Sequence, residues 1–253
     1  MRIPTMRNIR LLVSYDGTEF SGWQLQSNTR SVQGVLEDAV SSLVDEPVRI
    51  IGAGRTDSGV HATGQVCNFY TSNTGIPDER YAEALNTRLP PDLRVLSSHG
   101  VPDVFHSRRD ACFREYEYRF TSGPTGFAHL ERFTWRVKRM PSLSALNDIA
   151  REICGTHDFT TFAAAGDTTK TRVRRINHAV FLSNGPCIQF RINGNAFLWR
   201  MVRSLLGTMI HLALRGGGAA EMRAILEKRD RTLAGPTAPP RGLFFTRVGY
   251  EEE

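Results

Sequence analysis

The sequence predicts a mixed α+β protein of two parts, each combining helices with a mostly antiparallel sheet. In the first hundred residues the predicted elements follow the order β-α-β-β-α-β, which is that of a ferredoxin-like unit. The second half again mixes strands with helices. The chain has 253 residues, of which 40% are hydrophobic and 23% charged. These values are typical of a globular protein with a sizeable core and exclude a disordered chain.

In the first half, hydrophobic periodicity and turn residues mark out the elements. The predicted helix at 31–44 begins at an N-capping Ser31 and carries apolar residues at helical spacing. A second helix, at 77–89, has a proline in its first turn and ends before Pro90. Strands are predicted from β-branched and aliphatic runs; they lie at 8–15, 48–53, 63–71 and 93–99.

In the second half, a hairpin and a strongly amphipathic helix are the clearest elements. The hairpin pairs 171–183 with 187–192 across a turn at Asn184 and Gly185, and the helix covers 197–214. The other predictions are strands at 113–122, 133–137 and 243–248 and helices at 142–154 and 219–228. We expect domains at 1–104 and 105–253, with the two sheets joined across a central cleft, where ligands tend to bind.

Basic residues are unevenly distributed along the chain. The formal net charge is +6, yet the stretch from Thr168 to Ala220 contains no Asp or Glu. Its eight basic side chains are seven arginines and one lysine: Lys170, Arg172, Arg174, Arg175, Arg191, Arg200, Arg203 and Arg215. Arginine forks match phosphate oxygens and stack on bases. This basic stretch favours a polyanionic partner, above all a nucleic acid, over a merely solvated surface.

Several classes of protein are not indicated by the sequence. No apolar run approaches the length of a membrane span, and no apolar core of a signal peptide follows Met1. The cysteines and histidines show no metal-ligand spacing, and no Walker loop is present. We therefore expect a cytoplasmic protein with no membrane association, no metal, no nucleotide cofactor and no other cofactor.

The loop at 52–61, with the sequence GAGRTDSGVH, carries the most chemistry. It resembles a dinucleotide fingerprint at first sight, but Asp57 stands at the last glycine position and a strand follows instead of a helix. Arg55, Asp57 and His61 place three reactive side chains in one short loop between strands, which is where catalytic groups often lie. The alternative is an Asp57 that only hydrogen-bonds its own turn.

Four motifs together resemble the A-type tRNA pseudouridine synthases, which act on the anticodon stem-loop. Besides the Asp57 loop, the chain carries FSGWQ at 20–24 followed by SVQ at 31–33, and FH at 105–106 with Arg114, Tyr116 and Tyr118. It also carries NAFL at 195–198 with MVR at 201–203 and Gly207, and Gly242–Leu243 before the last strand. The motifs occur in the family's order over nearly the whole chain. Ser58 replaces the more usual alanine, and Trp199, Arg200 and Glu115 stand at variable positions.

The resemblance implies a pseudouridine synthase fold and the isomerisation of uridine to pseudouridine in tRNA, at positions 38, 39 and 40. It implies Asp57 as the nucleophile and Arg203 as its ionic partner, the alternative for Arg203 being the polar side of its helix. Tyr116 is implied to stack on the uracil, the alternative being an aromatic pair with Tyr118. A carboxylate suits attack on an electron-poor sugar C1′, as in glycosidases.

Substrate contacts follow from the same resemblance and from the charge pattern. The resemblance implies that Arg55 holds a flipped nucleotide and that Leu243 lines the uracil pocket. The basic stretch is expected to bind phosphates through Arg172 and Arg174. For His61, an RNA contact and an ordinary loop histidine remain open. The family also implies a homodimer that binds one tRNA across both copies. The competing hypothesis is a non-catalytic tRNA-binding protein or tRNA chaperone of the same fold.

Overall fold

The computed structural model describes residues 6–251, which divide into two compact units. One unit runs to Cys112 and includes the last strand from Phe245, and the other covers Phe113–Phe244. The predicted boundary between 1–104 and 105–253 therefore differs from the observed division. The backbone explains the difference, because the Cys112 N–H donates to the Gly249 carbonyl at 2.8 Å, within the first unit. Among residues 6–251, no helix is long and apolar enough to cross a membrane.

The first unit is an antiparallel sheet with two helices. Its elements are β1 (Arg7–Tyr15), α1 (Val32–Val44), β2 (Ile51–Gly52), β3 (His61–Thr71), α2 (Tyr81–Asn86) and β4 (Leu93–Val101). The strand order is β4-β1-β3, with β2 also on β3, as the ferredoxin-like prediction requires. The last strand, β10 (Leu243–Gly249), follows β3 in this order. Leu11 pairs with Cys67 and Ser98, and all three lie in the buried middle of the sheet.

Two elements of the first unit are shorter than predicted. The strand predicted at 48–53 is reduced to β2 because side chains of α1 take its hydrogen bonds. Glu37 accepts from the Ile50 N–H at 2.9 Å, and Ser41 accepts from the Val48 N–H at 3.0 Å. The helix predicted at 77–89 begins as a 3₁₀ turn and ends at Asn86, whose side chain bonds both the N–H and the carbonyl of Val95.

The second unit combines a mostly antiparallel sheet with three helices. Its elements are β5 (Phe113–Ser122), β6 (Trp135–Val137), α3 (Leu143–Arg151), β7 (Gly155–Asp158), β8 (Val173–Asn184), β9 (Cys187–Gly194), α4 (Met201–Leu214) and α5 (Ala219–Lys228). The strand order is β5-β9-β8-β7, and β6 pairs with β5 in parallel. The predicted hairpin is confirmed, with Gly185 in the left-handed region. The core of the second unit is aromatic and aliphatic, and includes Phe120, Phe181, Phe190, Leu205 and Met209.

Two features of the second unit were not predicted. The short polar strand β7 has no apolar alternation that would mark it, and it forms by pairing with β8. Helix α4 begins four residues later than the predicted start at 197. The delay has a local cause: Arg200 adopts a left-handed conformation (φ 59°), and the Trp199 N–H donates to the Asp167 carboxylate at 2.7 Å. The backbone just before Met201 therefore contacts the loop that contains Asp167 and does not continue the helix towards residue 197.

Candidate active site

Asp57 lies in a tight turn at the end of the glycine-rich loop between β2 and β3. Its carbonyl accepts the Val60 N–H at 3.1 Å, and Gly59 takes a positive φ of 75° inside the turn. Gly59 supplies a conformation that other residues rarely adopt. Asp57 itself is half-buried. The turn therefore presents this side chain at a defined position in the first unit.

The FSGWQ motif at 20–24 fixes the residue just before Asp57. The Trp23 N–H donates to the Thr56 carbonyl at 3.1 Å, while the buried Thr56 hydroxyl lies 2.8 Å from the Tyr15 hydroxyl. Gly22 has a φ of 98°, and a Cβ on it would lie 2.7 Å from the same Thr56 carbonyl oxygen. Two of the sequence motifs thus meet, and backbone contacts hold the loop from one side.

The start of the loop is held from the other side. The Gln65 side chain donates to the Gly54 carbonyl at 2.9 Å and accepts the Gly54 N–H at 3.3 Å. The Trp23 ring packs so closely on Gly52 that a Cβ at Gly52 would overlap it. The sequence alone assigns Trp23 no role in the site, because a buried aromatic side chain is also typical of an ordinary core. Its role as a support was detectable only from its place in a motif that accompanies the loop.

His61 is a buried structural histidine. Its side chain is 0% exposed, and its Nδ1 accepts the Gly17 N–H at 3.0 Å. The Asp16 carboxylate lies 3.2 Å from the same nitrogen. The side chain joins the end of β1 to the start of β3, and its burial removes the open possibility that it contacts RNA from the surface.

Arg55 projects from the same loop near a second arginine. Its side chain is exposed, and its pKa is lowered by partial burial and by the positive charge of Arg108. Two neighbouring guanidinium groups repel each other, and an anion bound near them would reduce this repulsion. The first unit therefore carries a cationic position two residues before Asp57.

Tyr116 lies on β5 of the second unit and is 8% exposed. Its ring packs edge-to-face on Phe197, with 5.2 Å between the centroids. Nearby, the Arg114 guanidinium donates to the Asn195 carbonyl at 2.8 Å. The central and C-terminal sequence motifs are thus joined in this unit. The ring geometry gives Tyr116 a fixed orientation within a well-packed strand.

Arg203 lies in the first turn of α4. It is half-buried, whereas every other residue from Met201 to Ile210 is buried. Its Nε donates to the Ala238 carbonyl at 2.8 Å, and the Ala238 N–H donates back to the Arg203 carbonyl at 3.1 Å. We call residues 235–242, which include Ala238, the strap. The reciprocal hydrogen bonds fix the position of Arg203 on this strap.

Tyr118 anchors the far end of the strap, just before Leu243. Its hydroxyl donates to the Pro239 carbonyl at 2.7 Å, and its ring leaves no room for a Cβ on Gly242. Burial raises the pKa of Tyr118 far above its usual value, although the nearby charges of Arg203 and Arg241 oppose the shift. Leu243 is 5% exposed. Tyr118 therefore helps to place both Arg203 and Leu243 by holding the strap between them.

Replacing Tyr118 with phenylalanine is expected to destabilise the second unit by about 1 kcal/mol, because the carbonyl of the half-buried Pro239 loses its partner. The measurement is urea unfolding followed by tryptophan fluorescence, since Trp135 lies 6.1 Å from the Tyr118 ring. The matched control is Tyr70→Phe, whose hydroxyl donates to the Asp103 carbonyl at the surface. Equal stabilities of Y118F and the wild type would contradict the anchoring role.

Arg172 and Arg174, the expected phosphate-binding residues, occupy different environments. Arg172 is half-buried and donates to the Asp167 carbonyl at 3.2 Å. Arg174 is 8% exposed, donates to the carbonyls of Thr171 and Val173, and has its pKa lowered by burial. This buried position differs from the exposed position that a direct contact with an RNA phosphate would need. The alternation along β8 turns Arg174 inward, and a charge count along the sequence does not reveal this.

Comparisons with known proteins identify the class of the chain. A family model described as tRNA pseudouridine synthase matches residues 11–109 and 149–251. This match covers most of both units, including the loop at 52–61 and the motifs around Arg203 and Leu243. The chain therefore belongs to the tRNA pseudouridine synthase family. It is accordingly an enzyme of the isomerase class, with a pseudouridine synthase fold, and the family decides against the non-catalytic hypothesis.

Curated relatives match over nearly their whole length. The protein named tRNA pseudouridine synthase A from Treponema denticola is 42% identical, over 98% of this chain and 94% of its own. The proteins of the same name from Brachyspira hyodysenteriae and Acetivibrio thermocellus are 39% and 40% identical, over 98% and 97% of this chain and 100% of theirs. A solved Cbf5–Nop10–Gar1 complex contains a chain that is 12% identical, with a TM-score of 0.38; the match covers 95% of this chain and 59% of that one.

Proposed function

We propose that this chain converts uridine to pseudouridine in the anticodon stem-loop of tRNA, at positions 38, 39 and 40, with Asp57 as the nucleophile. Membership of the family supports tRNA pseudouridylation. The observation that carries the assignment to Asp57 is its half-buried position on a turn held by Val60, Trp23 and Thr56. A preorganised carboxylate loses little entropy when it meets a reacting atom.

The proposed reaction needs no outside reactant. The C1′–N1 bond of the uridine breaks, the released uracil rotates, and a C1′–C5 bond forms. The proton on C5 leaves and N1 takes up a proton, so the product is an isomer of the substrate. The Asp57 carboxylate bonds to C1′ as N1 departs, and it leaves again when C5 attacks. This use of a carboxylate parallels covalent catalysis in retaining glycosidases. Atoms and electrons balance without a redox partner.

Residues of the second unit are proposed to serve the same reaction. Tyr116 stacks on the target uracil, and its hydroxyl is suited to accept or pass on the C5 proton. Arg203 is the proposed ionic partner of Asp57, and Leu243 supplies an apolar surface to the base. Their support is the packing of Tyr116 on Phe197 and the strap that fixes Arg203 and Leu243.

The RNA is proposed to meet charge from both units. Arg55, with Arg108 beside it, holds the extruded nucleotide, since a base within a stem must leave its stack before its sugar is accessible. Arg172 contributes from the basic stretch, and Arg174 is not proposed as a contact. We also propose that the protein is a homodimer and is cytoplasmic, and both proposals rest only on the resemblance to the family. Light scattering of the purified protein tests whether it is a dimer.

Incubation with an unmodified tRNA transcript that carries uridine at 38, 39 and 40 tests this proposal. Pseudouridine is mapped by reverse-transcription stops after carbodiimide treatment. We expect new stops at these positions and none in the other arms of the tRNA. Stops confined to another arm would contradict the anticodon assignment, and the absence of stops anywhere would contradict the proposed function itself.

A further inference from the structure

Trp199 is a large aromatic side chain on the surface of the second unit. It is 47% exposed, in the loop between β9 and α4, whereas Trp23 is 3% exposed and Trp135 packs on Tyr118. The loop lies within the basic stretch, which contains no acidic residue from Thr168 to Ala220. An exposed indole in a basic stretch of chain is a combination that proteins use to bind single-stranded nucleic acid.

The backbone at Trp199 is fixed although its ring is exposed. Its N–H donates to the Asp167 carboxylate at 2.7 Å, and its carbonyl accepts the Ala164 N–H at 3.1 Å. Burial opposes ionisation of Asp167, but hydrogen bonds from Thr169 and Trp199 outweigh it and lower the pKa of that carboxyl. Because its main chain is already ordered, the indole loses little conformational entropy when a partner binds.

Arg200 extends the aromatic surface of Trp199. Its guanidinium carbon lies 5.0 Å from the centre of the Trp199 ring, in a cation–π arrangement. Arg200 also adopts a left-handed conformation, with a φ of 59°. Such a backbone is strained for a residue other than glycine, and it is often retained at binding sites. Here it places the guanidinium against the indole.

We propose that Trp199 and Arg200 form a stacking platform for one unpaired nucleobase of the RNA substrate. The base stacks on the indole–guanidinium pair, and Arg200 also neutralises a neighbouring phosphate. Arg172 lies in the same region, because its guanidinium donates to the Asp167 carbonyl. This inference rests on the proposed function for the identity of the RNA, but it adds a binding position separate from the reacting uridine.

Binding measurements test the platform without any turnover. The probes are the unmodified tRNA transcript and a fully paired RNA duplex, each titrated by fluorescence anisotropy of an end label. For W199A we expect the Kd for tRNA to rise at least about 5-fold, equivalent to about 1 kcal/mol per stacked base, with no change for the duplex. W199F keeps a stacking ring, and we expect its loss of binding free energy for tRNA to be less than half of the loss in W199A.

Tryptophan fluorescence supplies a second readout that a structural role does not move. We expect tRNA to quench the emission of the wild type, and this quenching to be largely lost in W199F, since the buried Trp23 is shielded. The matched control is Leu96→Ala, which shortens another exposed apolar side chain, at 54% exposure, outside the basic stretch. L96A should bind tRNA as the wild type does.

Three results would overturn the platform: equal losses of affinity for tRNA and duplex in W199A, wild-type affinity in W199A, or a changed oligomeric state with unchanged RNA affinity. The third result would identify a second copy of this chain as the occupant of the surface. The titrations are read independently of pseudouridine formation. Failure of the proposed reaction with intact Trp199-dependent binding is therefore distinguishable from failure of the platform.

Discussion

Replacing Asp57 with asparagine is expected to lower the rate of pseudouridine formation at least about 10⁴-fold, while the protein remains folded and binds tRNA. Removal of a covalent nucleophile has effects of this size in other enzymes. Asparagine matches aspartate in shape but has no negative charge and bonds poorly to C1′. The turn depends on main-chain contacts of Asp57 and Val60, which the substitution retains.

Nucleoside chromatography of digested tRNA gives the rate for this comparison, and anisotropy gives the tRNA affinity. The matched control is Asp103→Asn, which removes an exposed carboxylate from another loop of the same unit. We expect D103N to retain the wild-type rate. Loss of tRNA binding in D57N together with its activity would instead assign Asp57 to substrate binding.

Replacing Gly207 with alanine is expected to destabilise the second unit by about 3 kcal/mol. In the interior of a helix this change ordinarily stabilises by about 1 kcal/mol. Here a Cβ would overlap the Pro236 carbonyl oxygen, which belongs to the strap packed against α4. Because this atom is main chain and the Gly235 N–H is already bonded to Thr208 at 2.9 Å, relief requires the strap to move.

The loss of stability is measured by urea unfolding, and the consequence for the site by the rate of pseudouridine formation. A displaced strap moves the Ala238 carbonyl that holds Arg203, so a reduced rate is expected even where the protein is still folded. Gly75→Ala is the control, because a Cβ there makes only an ordinary contact at 3.5 Å. Wild-type stability of G207A would show that the strap is not clamped on α4.

The elements that the sequence predicted well are those whose burial follows a simple period. The helix that starts after Ser31 and the hairpin around Gly185 have such patterns, and the structure confirms both. The strand at 48–53 and the start of the helix at 197–214 were misjudged because side chains elsewhere in the chain compete for their backbone groups. Glu37 takes the Ile50 N–H, and Asp167 takes the Trp199 N–H. The hydrophobic pattern near these two segments does not indicate that Glu37 or Asp167 bonds to them.

The candidate site divides in a similar way. Asp57 was identifiable from its glycine-rich loop and the accompanying motifs, because special backbone turns leave a sequence trace. The support from Trp23 was indicated only by its place in an accompanying motif. The anchoring of the strap by Tyr118 was not identifiable, since it acts through the Pro239 main-chain carbonyl. Arg174 shows a limit of counting charges along a sequence, because its side chain is buried along β8.

The role of Asp57 is tested most directly by a single-turnover assay with excess protein and with tRNA that carries tritium at C5 of its uridines. Formation of the C1′–C5 bond expels that hydrogen, so release to water reports the reaction itself. We expect the wild type to release one tritium for each uridine converted at 38–40, and D57N to release none above background. Full release by D57N would contradict the assignment of Asp57 as the group that acts on the ribose.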